Sequence, residues 1–326
     1  MTLPLIFDLE GLELSADERA FFKDADPYGY IIFGRNIENP EQLRALTDSL
    51  RELSSNDDVP ILIDQEGGRV VRMKPPHWPQ FLSAQALIEQ GGGDAEATKK
   101  IIYDNARRLG EVLGQVGINV NCAPVVDIPV NGSDPIIGDR AYGSEPMGVA
   151  MYARAMSQGL SDSGVMPVLK HIPGHGRATV DSHLALPVVD TPLDVLEATD
   201  FEAFKQLRDL PYAMTAHIVY EVLDKVDCAT FSREVIRYIR EDIGFNGVLM
   251  SDAVNMEALS GSYIERTQKA LNAGCDLVLY CNGNDNTSIE EKTEVAAAVP
   301  QTSEQTMVLT KQMFQQTTAT QTAEFA

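Results

Sequence analysis

The chain has 326 residues, and its 44% apolar and 23% charged content are those of a globular protein able to bury a sizeable core. Its 48 acidic side chains against 26 basic ones leave a formal charge of −22, which repels phosphate backbones and anionic headgroups and argues against nucleic-acid or membrane-surface partners. No run of 18 apolar residues is present, so no spanning helix is expected.

The opening Met1-Thr2-Leu3-Pro4-Leu5-Ile6-Phe7-Asp8 lacks the basic flank and long apolar core of a signal peptide. It reads as a first strand, and a cytoplasmic protein is expected. Further apolar runs rich in Val, Ile, Leu and Tyr recur at 28–33, 60–64, 119–127, 166–171, 212–219, 248–252 and 276–281. With 3–9 they make eight predicted strands without clean polar alternation, the pattern of parallel strands buried on both faces. Amphipathic stretches separate them. Asn39-Pro40-Glu41 opens a helix through about Leu53, with proline in the first turn. Others are predicted over 94–116, 145–163, 192–208, 232–243 and 263–273, the last stopping at Gly274. Strands alternating with helices over this length predict one α/β catalytic domain spanning 1–326, a single TIM-like (β/α)8 barrel. A doubly wound open sheet is the alternative, weakened by the lack of a glycine-rich phosphate loop after the first strand. Beyond about 301 the Thr- and Gln-rich tail is expected to hold one closing helix, 307–315, and then to fray. Cys122, Cys228, Cys275 and Cys281 are scattered without CxxC spacing and read as buried free thiols.

Barrel enzymes keep their chemistry where the strands end, and ionisable residues gather there. The third strand ends in Asp64-Gln65-Glu66-Gly67-Gly68-Arg69, and Asp139-Arg140 follow the fourth. The fifth ends in Lys170-His171, the sixth holds His217, and the seventh ends in Ser251-Asp252. Each has a bland reading taken alone: Asp64 as a turn cap, Arg140 as an ion-pair partner, His217 as a satisfied core histidine. Their coincidence at one face of one barrel favours a site. Asp252 follows the apolar Gly247-Val248-Leu249-Met250, where a carboxylate is costly unless hydrogen-bonded or used.

The densest segment is Lys170-His171-Ile172-Pro173-Gly174-His175-Gly176, followed by Asp181-Ser182-His183. Proline and glycine make it a loop. Asp181 and His183 are two apart, so in extended chain both side chains project to one side, a carboxylate fixing the tautomer of an imidazole. That pair suits a general acid/base, and Lys170, Arg140 and Asp64 suit a polyhydroxylated ligand. Zinc is the rival reading of the loop. His171 and His175 have the four-residue spacing of helical zinc sites, but Pro173 and Gly174 remove the helix that gives the spacing meaning. No metal or other cofactor is expected.

These segments resemble family 3 glycoside hydrolases, specifically the bacterial β-N-acetylglucosaminidases of cell-wall recycling. The matching stretches are Ile63-Asp64-Gln65-Glu66-Gly67-Gly68-Arg69-Val70, Gly138-Asp139-Arg140, Leu169-Lys170-His171-Ile172-Pro173-Gly174-His175-Gly176, Asp181-Ser182-His183, Met214-Thr215-Ala216-His217 and Phe245-Asn246-Gly247-Val248-Leu249-Met250-Ser251-Asp252. The resemblance runs from the first strand to about residue 280. It implies a retaining double displacement with Asp252 as nucleophile, His183 as acid/base and Asp181 as its partner. It further implies that Asp64, Arg140, Lys170 and His171 hold an N-acetylglucosamine ring, with Arg72 and His217 lining the same pocket. The implied substrate is a GlcNAc-containing muropeptide fragment, cut by a monomer or weak dimer; a phosphorylase of the same branch would use the same residues. Where the family commonly has a second acid after the nucleophile and a Ser-Phe pair after the arginine, this chain has Ala253 and Ala141-Tyr142.

Overall fold

In the computed structural model, which describes residues 2–182, 185–283 and 287–324, eight parallel strands follow one another around a ring. They are β1 (Leu3–Phe7), β2 (Pro27–Ile32), β3 (Ile61–Ile63), β4 (Val120–Asn121), β5 (Met166–Ile172), β6 (Tyr212–Thr215), β7 (Val248–Met250) and β8 (Val278–Tyr280). Strands adjacent in sequence are adjacent in space, and β8 returns to β1 with Leu5 opposite Val278 and Phe7 opposite Tyr280. The seam between β7 and β8 is closed by a parallel bridge of Met250 with Leu277 and by the Ser251 N–H donating to the Leu277 carbonyl at 3.0 Å. This is the (β/α)8 barrel that the alternation of elements predicts.

Around the ring run α1 (Ala16–Ala25), α2 (Pro40–Leu53), α3 (Ala84–Gln90), α4 (Ala95–Gln115), α5 (Pro146–Asp162), α6 (Leu193–Ala198), α7 (Asp200–Lys205), α8 (Arg233–Tyr238), α9 (Tyr263–Ala273), α10 (Ile289–Ala297) and α11 (Glu304–Glu324). Three of these, α1, α3 and α10, are additions to the sequence reading. Capping boxes of Ser15 with Glu18 and of Ser288 with Glu291 start α1 and α10. The helix expected over 192–208 is divided at Thr199, whose hydroxyl and neighbouring Asp200 carboxylate both take the Arg177 guanidinium. The run expected at 119–127 keeps a regular ladder only at Val120–Asn121; past Pro124, which has no N–H to donate, an isolated bridge of Val125 with Lys170 continues the pairing. Likewise, 212–219 stops pairing in the barrel at Thr215, and Val219–Tyr220 joins Val188–Val189 in a separate parallel pair.

Successive strand side chains point to opposite faces, so one parity fills the ring and the other packs under the helices. Ile6, Leu62, Val120, Cys122, Met166, Val168, Met214, Met250 and Leu279 form one buried cluster. Leu5, Phe7, Ile61, Ile63, Leu169, Ala213, Leu249 and Val278 belong to the other, shared with the helices.

The floor of the ring is made by tyrosines and α11. Tyr28 and Tyr212 begin β2 and β6, and their hydroxyls lie 2.7 Å apart. The Tyr28 hydroxyl also bonds Thr310 of α11. Thr306, Thr310 and Phe314 are buried one turn apart, and Phe314 belongs to the same cluster as the ring interior. The closing helix runs over Glu304–Glu324, longer at both ends than the expected 307–315, and this packing seats its first turns against the floor. Just before it, the Thr302 N–H donates to the Thr2 carbonyl at 2.8 Å, which ties the entry of α11 to the start of β1 at the floor.

Truncating Phe314 should leave a cavity under the barrel. Phe314→Ala is expected to lose about 3 kcal/mol in urea or guanidinium titration; an unchanged midpoint would mean that α11 contributes nothing to the core.

Candidate active site

At the opposite end the inward parity runs on past the last paired residues. Two positions beyond Leu62, Val168 and Met250 come Asp64, Lys170 and Asp252, so alternation alone carries two carboxylates and an ammonium to the rim of the ring. The site grows from this continuation of the core pattern into polar residues.

Lys170 is 2% exposed. Its ammonium reaches over β4 to two carboxylates on the segment after β3, Asp64 Oδ1 at 3.0 Å and Glu66 Oε1 at 2.7 Å. Asp64 takes Arg72 Nη2 on its other oxygen at 3.1 Å. Glu66 takes Arg140 in bidentate fashion, Nε and Nη2 each at 2.8 Å. The result is an alternating row, Arg72–Asp64–Lys170–Glu66–Arg140. Burial alone would raise both carboxyls. Lys170 and Arg72 outweigh it and hold Asp64 well below the usual carboxylate range; Arg140 and Lys170 hold Glu66 down at about 2. Both acids are therefore ionised at any working pH. The turn carrying them is tight: Gly67 has φ 102°, and a Cβ there would sit 2.0 Å from the Leu82 carbonyl oxygen.

The histidine loop is anchored on Asp127, a fully buried carboxylate. It accepts the backbone N–H of His171 at 3.2 Å and of His175 at 2.6 Å on one oxygen, and His171 Nδ1 at 2.7 Å on the other. Since a carboxylate only accepts, Nδ1 of His171 carries the proton, which leaves Nε2 for a ligand. The His175 ring packs edge-on to His171 at 5.6 Å, and its Nε2 lies 2.8 Å from Ser182 Oγ. Burial and the neighbouring His171 push His175 down to about 4, so its ring is neutral. Gly176 permits the loop to lie against the barrel, as a Cβ there would meet the Ile128 carbonyl oxygen at 1.9 Å.

Asp252 is half-buried, and its Oδ1 accepts the N–H of the next residue, Ala253, at 2.7 Å. Its charge is felt across the rim. The Cys122 thiol is raised first by burial and then by Asp64, Lys170 opposing and Asp252 adding; His175 feels Asp252 as well. His217 is fully buried, with Nδ1 2.8 Å from Thr230 Oγ1 and Nε2 3.0 Å from the Ala253 carbonyl.

Of the residues the sequence singled out, Asp64, Arg72, Arg140 and Lys170 form the ion row, and His171 adjoins it on β5. Asp252 closes the opposite side. Asp181 is half-buried on the loop that Ser182 ties to His175. His183 lies outside the described residues. Arg140 spends Nε and Nη2 on Glu66 and donates from Nη1 to the Ile136 carbonyl at 3.2 Å, so it braces the row. Three participants carried no role in the sequence reading: Glu66, Asp127 and His175. Glu66 and His175 stood inside the matched motifs, and Asp127 ended an apolar run just as Asp252 does.

Comparison with known proteins agrees with the barrel fold. Residues 6–316 match the glycosyl hydrolase family 3 N-terminal domain. A β-hexosaminidase of Alkalilimnicola ehrlichii is 37% identical over 284 residues, covering 86% of this chain and 80% of its own. The structure of NagZ from Neisseria gonorrhoeae in complex with N-trifluoroacetyl-D-glucosamine superposes with a TM-score of 0.86 at 32% identity, covering 96% of this chain and 90% of that one. A family 3 β-N-acetylglucosaminidase from Paenibacillus sp. aligns with a TM-score of 0.84 at 30% identity, covering 98% of this chain and 61% of that one.

The ion row has a consequence for acid stability. Glu66 titrates near 2 in the fold and near ~4.3 unfolded, so its stabilisation is present above about pH 4.3 and is lost as pH falls toward 2. Lys170→Met should cost about 3–5 kcal/mol at neutral pH by leaving two carboxylates against one fewer cation. It should also flatten the stability loss between about pH 4 and 2. Denaturant melts across that range would contradict the assignment if wild type and variant ran parallel.

Proposed function

The chain belongs to glycoside hydrolase family 3 and is a hydrolase of the β-N-acetylglucosaminidase kind; from that premise we propose a retaining exo-acting enzyme that removes terminal GlcNAc from 1,6-anhydroMurNAc fragments of peptidoglycan. The observation that carries the reading is the convergence of Asp252 with the Asp64–Lys170 pair on one rim, each two residues past an inward core position of its strand.

In this reading Asp252 attacks the anomeric carbon. Its Oδ1 accepts the Ala253 N–H, and a carboxylate oxygen of Asp252 forms the glycosyl-enzyme bond as the aglycone leaves. Asp64 and Lys170 bind sugar hydroxyls as a matched acceptor and donor, already desolvated and fixed before the ligand arrives. Nε2 of His171 and the outer face of Arg72 complete the ring's contacts, with Arg140 standing behind them on Glu66. Protonation of the leaving oxygen falls to His183, with Asp181 stabilising the imidazolium; the same pair then activates water for the second displacement. Most glycosidases use a second carboxyl there. A neutral imidazole does not repel an anionic aglycone such as the lactyl carboxylate of a muramic acid, and a carboxylate would. Four buried, unpaired thiols suit a reducing, cytoplasmic setting, and a monomer or weak dimer suffices because the residues named all come from one chain.

Incubation with GlcNAc-anhydroMurNAc tests the substrate. Mass spectrometry should find free GlcNAc and anhydroMurNAc in both inert and phosphate buffer; GlcNAc-1-phosphate in the latter would make the enzyme a phosphorylase. Asp252→Ala should cut turnover by roughly 10⁴-fold or more with the fold intact, and retained activity would remove the assigned nucleophile. His183→Ala should slow substrates with poor leaving groups by about 10²–10⁴-fold and activated aryl glycosides far less. Equal losses on both would speak against an acid role.

A further inference from the structure

The nucleophile side of the rim is gripped from two directions, and only one grip is part of the barrel ladder. On the β8 side, the Ser251 N–H donates to the Leu277 carbonyl, the Leu279 N–H to Ser251 Oγ and the Val254 N–H to the Leu279 carbonyl, each at 3.0 Å. On the β6 side stands His217, with no backbone pairing of its own to Ala253. A carbonyl oxygen can only accept, so His217 Nε2 carries the proton it donates to Ala253 at 3.0 Å. With the ring neutral, Nδ1 accepts from the Thr230 hydroxyl at 2.8 Å, and Thr230 in turn accepts from Thr215 at 2.8 Å. The His217 ring is fully buried and both nitrogens have protein partners. It offers a sugar hydroxyl no free atom.

We propose that His217 is a positioning residue for Asp252 rather than a sugar ligand: by holding the Ala253 carbonyl it fixes the backbone conformation of Ala253, the residue whose N–H bonds Oδ1, and so steadies the Asp252 carboxylate facing the anomeric carbon. The inference rests on the reading of Asp252 as nucleophile. Its physical basis is that Asp252 sits two residues past Met250, the last ladder residue of β7, where regular strand pairing no longer fixes the backbone. The Ala253 N–H donates to Asp252 Oδ1 at 2.7 Å from this irregular segment, whose conformation must itself be set. His217 sets it from the neighbouring end of β6, and the Thr215–Thr230 hydroxyls fix the tautomer that can donate.

A ligand contact and a positioning contact differ in what their loss moves. Side-chain amide nitrogen of glutamine falls where Nε2 of histidine stands, whereas that of asparagine falls near Nδ1. His217→Gln therefore keeps the donor to Ala253, while His217→Asn and His217→Leu lose it. With an aryl N-acetyl-β-glucosaminide, Leu and Asn should lower kcat by about 100-fold, the scale of a misplaced reacting group. Competitive inhibition by free GlcNAc should stay within about twofold, and Gln should recover most of the rate. Should Leu fail to fold, the Asn and Gln pair alone carries the comparison. Weakened GlcNAc inhibition that matches the loss in rate would return His217 to the sugar pocket, and full activity of Asn would abolish the role. Asp252→Ala run alongside separates the two levels: an active Asp252→Ala defeats the nucleophile, whereas an inactive one beside a fully active His217→Asn defeats only the positioning.

Discussion

A lysine ammonium buried between two carboxylates is the constraint around which this rim is built. Alone, the charge of Lys170 would be expelled or neutralised in so dry a place; with Asp64 and Glu66 on it, the ion is favoured. The pairing joins β5 to the segment after β3 across the intervening strand, so it ties three strand ends into one rigid arc. Arg72 and Arg140 then complete the acids' remaining oxygens. The two carboxylates together with three cations leave one positive charge on a protein whose total charge is −22. Counted formally with Asp252 on the same rim the charges balance, which suits a small polyhydroxylated ligand, while the strongly anionic envelope keeps polyanions at a distance.

A second anchor works on the other half of the mouth. Asp127 gathers the backbone of His171 and His175 and the ring of His171, and it does so without exposure to solvent. From His175 the hydrogen bond to Ser182 carries that order outward to the residue between Asp181 and His183. Backbone hydrogen bonds from Val130 to the Gly176 carbonyl and from Asp134 to the Ala178 carbonyl add to it, so the loop is fixed to the barrel along its length.

Much of this was legible in the chain. The barrel followed from apolar runs alternating with amphipathic ones, and the rim acids from their place just beyond apolar strands. Asp64, Lys170 and Asp252 continue the inward parity of Leu62, Val168 and Met250, a signal that needs no partner to be read. What stayed hidden was pairing. Glu66 stands 74 residues from Arg140, and Asp127 stands 44 and 48 residues from the two histidines it anchors. Sequence displays that a residue is charged but not which opposite charge the fold will deliver to it. For that reason Arg140 and His217 read as sugar contacts, though the fold gives their nitrogens to Glu66 and Ile136 and to Thr230 and Ala253. Helix α11 was underestimated on similar grounds. Its composition is that of a solvated tail, and the contact of Thr310 with Tyr28 beneath the ring could not be read from it.

The hydrogen bond between Thr302 and Thr2 has a practical side. It sets the start of β1 and the entry to α11 side by side on the floor, with the whole length of the ring between them and the polar rim. A fusion partner, affinity handle or solid support joined ahead of Leu3 would face away from molecules approaching that rim.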